Sequence, residues 1–441
     1  MFKSLFVIAL PIILQNLMQS TVNMLDTLMV GQLGSVEIAA VGLGNQIYML
    51  LNMVLFGISS GGAIFIAQFW GKKENSGIWK MEGVMFSFSI VIALIFTFVS
   101  VFFPKFLIGL YSKDFHVIEI GARYLRIVAF SFPFFAMSFA FSMALRSTEH
   151  VKLPMVATMI SLVLNAILNY LLIFGIGFFP SLGIVGAAIA TCISRIVECF
   201  ILFIVAYSKK YEVASSVKNL FSFTFFEVRK FIKIAFPVII NEAIWGLGTS
   251  MHSLIMGRTS TEAISAFNIT GTISQITWVF FIGVGNAAGI IIGKKIGEGN
   301  ETEARKYANT LSWFMPLMAI FIGLLLIPIS KFLPFMFNVE ANILVQAKMM
   351  LMILMCCYPL NAFNMCWVVG ICRAGGDTVF AAIIDVCFMW IIAIPLAACV
   401  AYFTNVQPYI IYICLLSEQI FKAIVGFYRI KSGKWLHNVV E

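Results

Sequence analysis

Asn16, Gln19, Asn23 and Asp26 follow one another at steps of three, four and three residues through an otherwise apolar run. On a helix that spacing places all four on one face. Carboxylate and amide oxygens gathered there could hold a small cation or pass a proton. Lipid penalises such a stripe, so it must face a protein interior or a water-filled cavity. The same stripe read 226 residues further on is Glu242, Trp245, Thr249 and His252, polar or amphipathic on the same face but of different chemistry.

Three acids, Asp26, Glu242 and Asp385, lie in apolar stretches with no cation close by in sequence. A buried carboxyl without a cation can hold a proton near neutral pH and surrender it when water or a cation arrives. That is the behaviour of a coupling site, and these three are the expected cation-coupling residues. The alternative is that they are hydrogen-bonded fixtures at helix kinks. Glu198 lies three residues from Arg195 and Glu418 four from Lys422, so each pair can close on its own helix and reads as structural. Asn165 and Asn169, one turn apart, either supply oxygen ligands or bridge helices. His252 either titrates or packs. Asn16, Gln19, Asn23, Asn165, Asn169, Trp245, Thr249 and His252 are the expected substrate-contacting or cavity-lining residues. Trp245, Trp278, Met24 and Met365 would suit flat, apolar cations through cation–π contact and adaptable packing.

The nine cysteines show neither CxxC spacing nor a neighbouring His, so they read as small packing residues. No metal is expected beyond a sodium ion at Asp26, and no cofactor. Phosphate-cradling loops and catalytic triads are missing from the sequence, which excludes ATP hydrolysis and argues against an enzyme. Transport against a gradient would have to draw on another ion gradient.

The elements that must carry these residues follow from composition. The chain is 61% hydrophobic and 11% charged over 441 residues, too apolar for a water-facing globule. Twelve runs are long enough to cross a bilayer, roughly 5–30, 37–69, 79–103, 117–145, 153–177, 183–208, 230–257, 262–292, 306–330, 342–371, 378–403 and 409–430. The first is too long for a cleaved signal and reads as a retained span. The net charge of +9 is a topology signal: with both termini in the cytoplasm, most Lys and Arg fall on that side, and no nucleic-acid partner is implied. A multi-pass protein of the plasma membrane is expected.

The chain also repeats. Ile8-Ala9-x-Pro11-x-Ile13 returns as Ile234-Ala235-x-Pro237-x-Ile239, and Gly31, Gly57 and Gly71 return as Gly257, Gly283 and Gly297. Pro133 and Pro359 keep the same offset, and Arg146 and Arg373 keep it to within one residue. Six spans per copy make the repeats parallel. The expected fold is all-α and polytopic, with two six-helix bundles, 1–208 and 230–441, related by a pseudo-twofold axis along the membrane normal. The stretch 209–229 is the expected cytoplasmic linker, its phenylalanines lying on the inner membrane surface. Such a frame needs no second subunit.

Leu25-Asp26-Thr27-Leu28-Met29-Val30-Gly31 resembles the VDTxMVG stretch of the multidrug and toxic compound extrusion (MATE) family. Gly186-Ala187-Ala188-Ile189-Ala190-Thr191 with Ser194-Arg195, Arg373-Ala374-Gly375-Gly376-Asp377-Thr378, and Asn241-Glu242-x-x-Trp245 resemble further family motifs, in the family's order and over essentially the whole chain. The resemblance implies an antiporter exporting organic cations in exchange for H+ or Na+ by alternating access. It carries the family's span 1 acid to Asp26, its span 7 acid to Glu242, and a span 11 acid of some members to Asp385. Asn169 stands where many members have Asp, and Arg146-Ser147-Thr148-Glu149-His150 lacks the glycines of the later copy. Two other readings stay open. One is a lipid-linked saccharide flippase, which would want a cationic cavity. The other is a non-transporting receptor or scaffold, which would have no use for unpaired buried acids.

Overall fold

The computed structural model describes residues 1–176, 179–336 and 339–441, without the side chains of Asn23 and 329–336. Twelve helices are long and apolar enough to cross a membrane. They are α1 (Phe2–Gly31), α2 (Ser35–Lys72), α3 (Asn75–Phe102), α4 (Phe115–Ser147), α5 (Lys152–Phe174), α6 (Ile184–Ser208), α7 (Phe225–Thr259), α8 (Thr261–Gly297), α9 (Glu301–Pro328), α10 (Ala341–Cys372), α11 (Thr378–Phe403) and α12 (Pro408–Ser432). The twelve expected spans are all present, and the described residues contain no strand beyond an isolated bridge between Gly376 and Leu436.

Local chemistry sets several helix ends. Asp114 caps α4 by accepting from the His116 amide at 2.8 Å, and Ser260 caps α8 by accepting from Ala263 at 3.0 Å. Gly175 stops α5 in the left-handed region at φ 72°, where a side chain would be strained. Pro11 and Pro237 lie inside α1 and α7. There a missing amide and a ring clash weaken the helical ladder at matched points.

Two compact units emerge. One holds Leu10–Ile239 and the other Met1–Ala9 with Ile240–Glu441. Each therefore takes in the first turns of the other's leading helix, and the chain changes unit within a few residues of Pro11 and of Pro237. In the first unit, Leu51, Leu55, Leu125, Phe132 and Ala136 form part of a fully buried core. Small residues let α2 meet the start of α7 at backbone distance. A Cβ on Gly57 would come within 2.7 Å of Ile239, and one on Gly61 within 2.5 Å of Ala235. The 209–229 stretch is fastened to this unit: Trp79 Nε1 donates to the Glu212 carbonyl at 2.6 Å, and Lys80 pairs with Glu227 at 3.1 Å. Phe225 and Phe226, in the first turn of α7, are exposed.

In the second unit two stretches, Cys366–Cys372 in α10 and Phe388–Ala393 in α11, are π-helical. The Arg373 amide reaches back five residues to the Val368 carbonyl at 3.2 Å, where an α-helix reaches back four. The repeat accounts for the first of these. Pro133 and Pro359 are in register at 226, while Arg146 and Arg373 are one residue beyond it. The extra residue must sit between Pro359 and Arg373, and the helix absorbs it as a π turn.

Candidate functional site

In the first unit the site is built on α1 and α5. Asp26 is half-buried. Asn169 Nδ2 donates to Asp26 Oδ1 at 2.6 Å. Asn165, with its amide turned so that nitrogen faces the carboxylate, donates to Oδ1 at 3.0 Å and Oδ2 at 3.3 Å. The two asparagines are one turn apart, so both amides reach one carboxylate. Asn169 Oδ1 is buried without a partner, an oxygen beside the acid that stays available to a cation or a proton donor. Arg195 is bound to Glu198 at 2.8 Å and to the Tyr48 hydroxyl at 3.2 Å. Asp26 itself forms no ion pair among the described residues.

Glu242 and Asp385 stand differently, and their expected isolation is corrected. Arg373 Nη2 meets Glu242 Oε1 at 2.6 Å, and Lys422 Nζ meets Asp385 Oδ1 at 2.7 Å and Glu418 Oε2 at 3.0 Å. Asn241 Nδ2 adds a bond to Asp385 Oδ2 at 2.9 Å. The cations come from the end of α10 and from α12, 131 and 37 residues away, so proximity in sequence could not reveal them. The Lys422–Glu418 and Arg195–Glu198 pairs form as expected.

The first unit holds the counterpart of this network in nearly neutral form. Gln15 Oε1 accepts from Arg146 Nη2 at 2.5 Å, and Gln15 Nε2 donates to the Thr158 hydroxyl at 2.7 Å. Thr158 in turn donates to Glu198 at 2.7 Å. Arg146, Thr158 and Arg195 recur one residue beyond the 226 offset as Arg373, Asp385 and Lys422, and Gln15 recurs at 226 as Asn241. One glutamine thus performs both tasks that Asn241 and Glu242 divide. Sequence reasoning did not place Gln15, Arg146 and Thr158 in a site, because their contacts join residues far apart in the chain. The signal available was the shared separation of 131 residues between Gln15 and Arg146 and between Glu242 and Arg373.

The other expected residues scatter more widely. Asn16 and Gln19 are half-buried on α1, and the Asn23 side chain lies outside the described residues. Thr249 bonds the Gly246 carbonyl at 2.8 Å, within its own helix. His252 is half-buried, with Nε2 buried and unpartnered. Trp245 stacks on Trp278 with centroids 6.3 Å apart and planes 12° apart, and the Trp390 indole bonds the Ile244 carbonyl at 3.2 Å. This aromatic cluster belongs to the second unit. Met24 is exposed and Met365 buried.

Twelve apolar spans in two six-helix halves, with carboxylates and amides set inside them, define a polytopic membrane transport protein. The MatE family model matches residues 11–171 and 237–399, one match in each half. The chain belongs to the MatE family. It is 24% identical over 409 residues to the Bacillus subtilis "Probable multidrug resistance protein YoeA", covering 92% of this chain and 88% of that one. It is also 24% identical over 440 residues to the Thermotoga maritima "Probable multidrug resistance protein NorM", covering 99% and 94%. The solved structure of the Vibrio cholerae MATE transporter VcmN in the bent form superposes with a TM-score of 0.88 at 19% identity, over 98% of this chain and 96% of that one.

Proposed function

We propose that the chain exports organic cations across the plasma membrane in exchange for H+ or Na+, by alternating access and as a monomer with both termini in the cytoplasm. The observation that carries this reading is the environment of Asp26. Among the three candidate coupling acids Asp26 alone is held by neutral amides, at 2.6 Å from Asn169, while Glu242 and Asp385 are engaged by Arg373 and Lys422. A carboxylate in that setting exchanges its charge state with an arriving ion at little structural cost. Gain or loss of that charge would alter its hold on α5 and bend α1 near Pro11. Glu242, Asp385 and the Trp245–Trp278 stack supply a second acidic and aromatic locus suited to a flat cation. The names of the relatives support drug efflux, and the acids on the striped faces suit cationic cargo better than the pyrophosphate of a lipid-linked sugar.

The test is flux of ethidium into or out of proteoliposomes under a pH gradient and a sodium gradient imposed separately, with wild type beside Asp26→Asn. Gradient-driven flux abolished by the substitution supports the reading, and the effective gradient names the ion. Flux that survives the substitution, or its absence from wild type under both gradients, overturns it.

A further inference from the structure

The extra residue in α10 is placed where it matters for Arg373. Before the π turn, Asn364 is tied to α12 through Gln419 Oε1 at 2.8 Å. Beyond it, Asp377 is tied to the same helix through Arg429 Nε at 2.7 Å. Trp367 is fully buried, and its ring lies so close to Gly426 that a Cβ there would be 2.4 Å from the indole nitrogen. Both ends of the segment are therefore pinned, and the spare residue lies between the pins with Arg373 directly after it. Against α8 the turn rides on small residues: a Cβ on Gly370 would be 3.1 Å from Ala288 Cβ and from the Gly285 carbonyl. Such a surface offers few side-chain ridges to lock a register. The matched helices of the first unit, which carry Arg146 and Thr158, have no π turn, and there the partner of the arginine is the uncharged Gln15.

We propose that the inserted residue in Cys366–Cys372 is a register switch that sets Arg373 on Glu242 and withdraws it. When Glu242 loses its charge to a proton or a cationic cargo, the extra residue migrates past Arg373. One residue of helix is about 100° of rotation and about 1.5 Å of rise, enough to turn the guanidinium off the carboxyl while the Asn364 and Asp377 tethers hold. The backbone exchanges one set of bonds for another, so the shift leaves no amide unsatisfied in the membrane. Arg373, the residue that caps α10, is then a positioning residue moved by the helix end it closes. The inference adds a moving part to the exporter reading and shares its site, but its backbone test does not require that reading.

The test is hydrogen–deuterium exchange of the purified full chain in nanodiscs. Peptides spanning 366–376 are compared between wild type and Glu242→Gln, with the matched first-unit peptide spanning 139–149 as internal control. The switch requires exchange in 366–376 to rise about tenfold or more in Glu242→Gln while the control stays unchanged. Deleting Val369, the least buried residue of the π turn, restores the register of the first unit. In that background Glu242→Gln must no longer raise exchange. Equal exchange in wild type and Glu242→Gln overturns the proposal, and so does a rise that persists in the deletion. If the deletion does not fold, the wild-type comparison still decides. Ethidium flux reports on use in turnover: the Val369 deletion is expected to slow it about tenfold or more while retaining bound ethidium, and unimpaired flux overturns a role for the switch in transport. Absence of ethidium flux from wild type would count against the exporter reading and leave the exchange result standing.

Discussion

Glu242 and Arg373 meet at 2.6 Å across 131 residues of sequence, the same separation at which Gln15 and Arg146 meet at 2.5 Å. Duplication preserved the contact and changed its charge. In one half an arginine faces an amide, and in the other it faces a carboxylate.

That comparison ranks two substitutions. Glu242→Gln takes the charge from the pair without opening a cavity and should cost about 1 kcal/mol. Glu242→Ala removes the carboxylate from a largely buried pair and should cost about 3 kcal/mol or more. Thermal unfolding in one detergent, followed by tryptophan fluorescence, should place Glu242→Gln well above Glu242→Ala. Equal losses would mean that the cavity left by Glu242→Ala adds nothing to the loss of the charge.

Lys422 is 2% exposed and bridges Asp385 and Glu418. Lys422→Met strands two carboxylates and should destabilise by about 3–5 kcal/mol. Adding Asp385→Asn and Glu418→Gln removes the stranded charges, so the triple variant should melt above the single one. A triple variant that melts lower would refute the bridge as the source of the loss.

Asn169→Ala removes the shortest hydrogen bond to Asp26. The loss of a bond to a charged group should cost about 1.5–3 kcal/mol, and ion-driven ethidium flux should fall with it. Asn165→Ala should have the smaller effect, since its contacts are longer. The reverse order in flux would place the working contact on Asn165.

Gly83 lies under the 209–229 stretch, and a Cβ there would fall 1.8 Å from the Leu220 carbonyl. Gly83→Ala must therefore lift the stretch off α3, at about 1–3 kcal/mol. The readout is protease sensitivity between Lys209 and Lys233, which should rise in the variant; unchanged cleavage would show that the stretch yields without leaving α3.

The twelve spans and their two halves were legible because membrane burial writes itself as length and apolarity. The polar face around Asp26 was legible for the same reason: an acid among amides at helical spacing must turn away from lipid. The partners of Glu242 and Asp385 were not. Arg373 and Lys422 approach from the end of α10 and from α12, and a lone sequence shows period and composition but no pairing across helices. Gln15 and Thr158 stayed hidden because neutral side chains carry too little cost in a membrane to stand out. The one-residue slip between Arg146 and Arg373 was visible in the sequence, yet only the backbone bond from Arg373 to Val368 gives it a meaning.

The placement of Met1–Ala9 in the second unit also sets an order of events during synthesis. Phe2 and Phe6 pack on Phe314, with ring centroids 5.1 and 6.1 Å away. At about 5–20 residues per second, the ribosome makes Phe314 roughly 15–60 s after Phe2. For that interval Phe2 and Phe6 lack this aromatic neighbour. The nascent chain thus keeps its first two phenylalanines waiting until the ninth helix arrives.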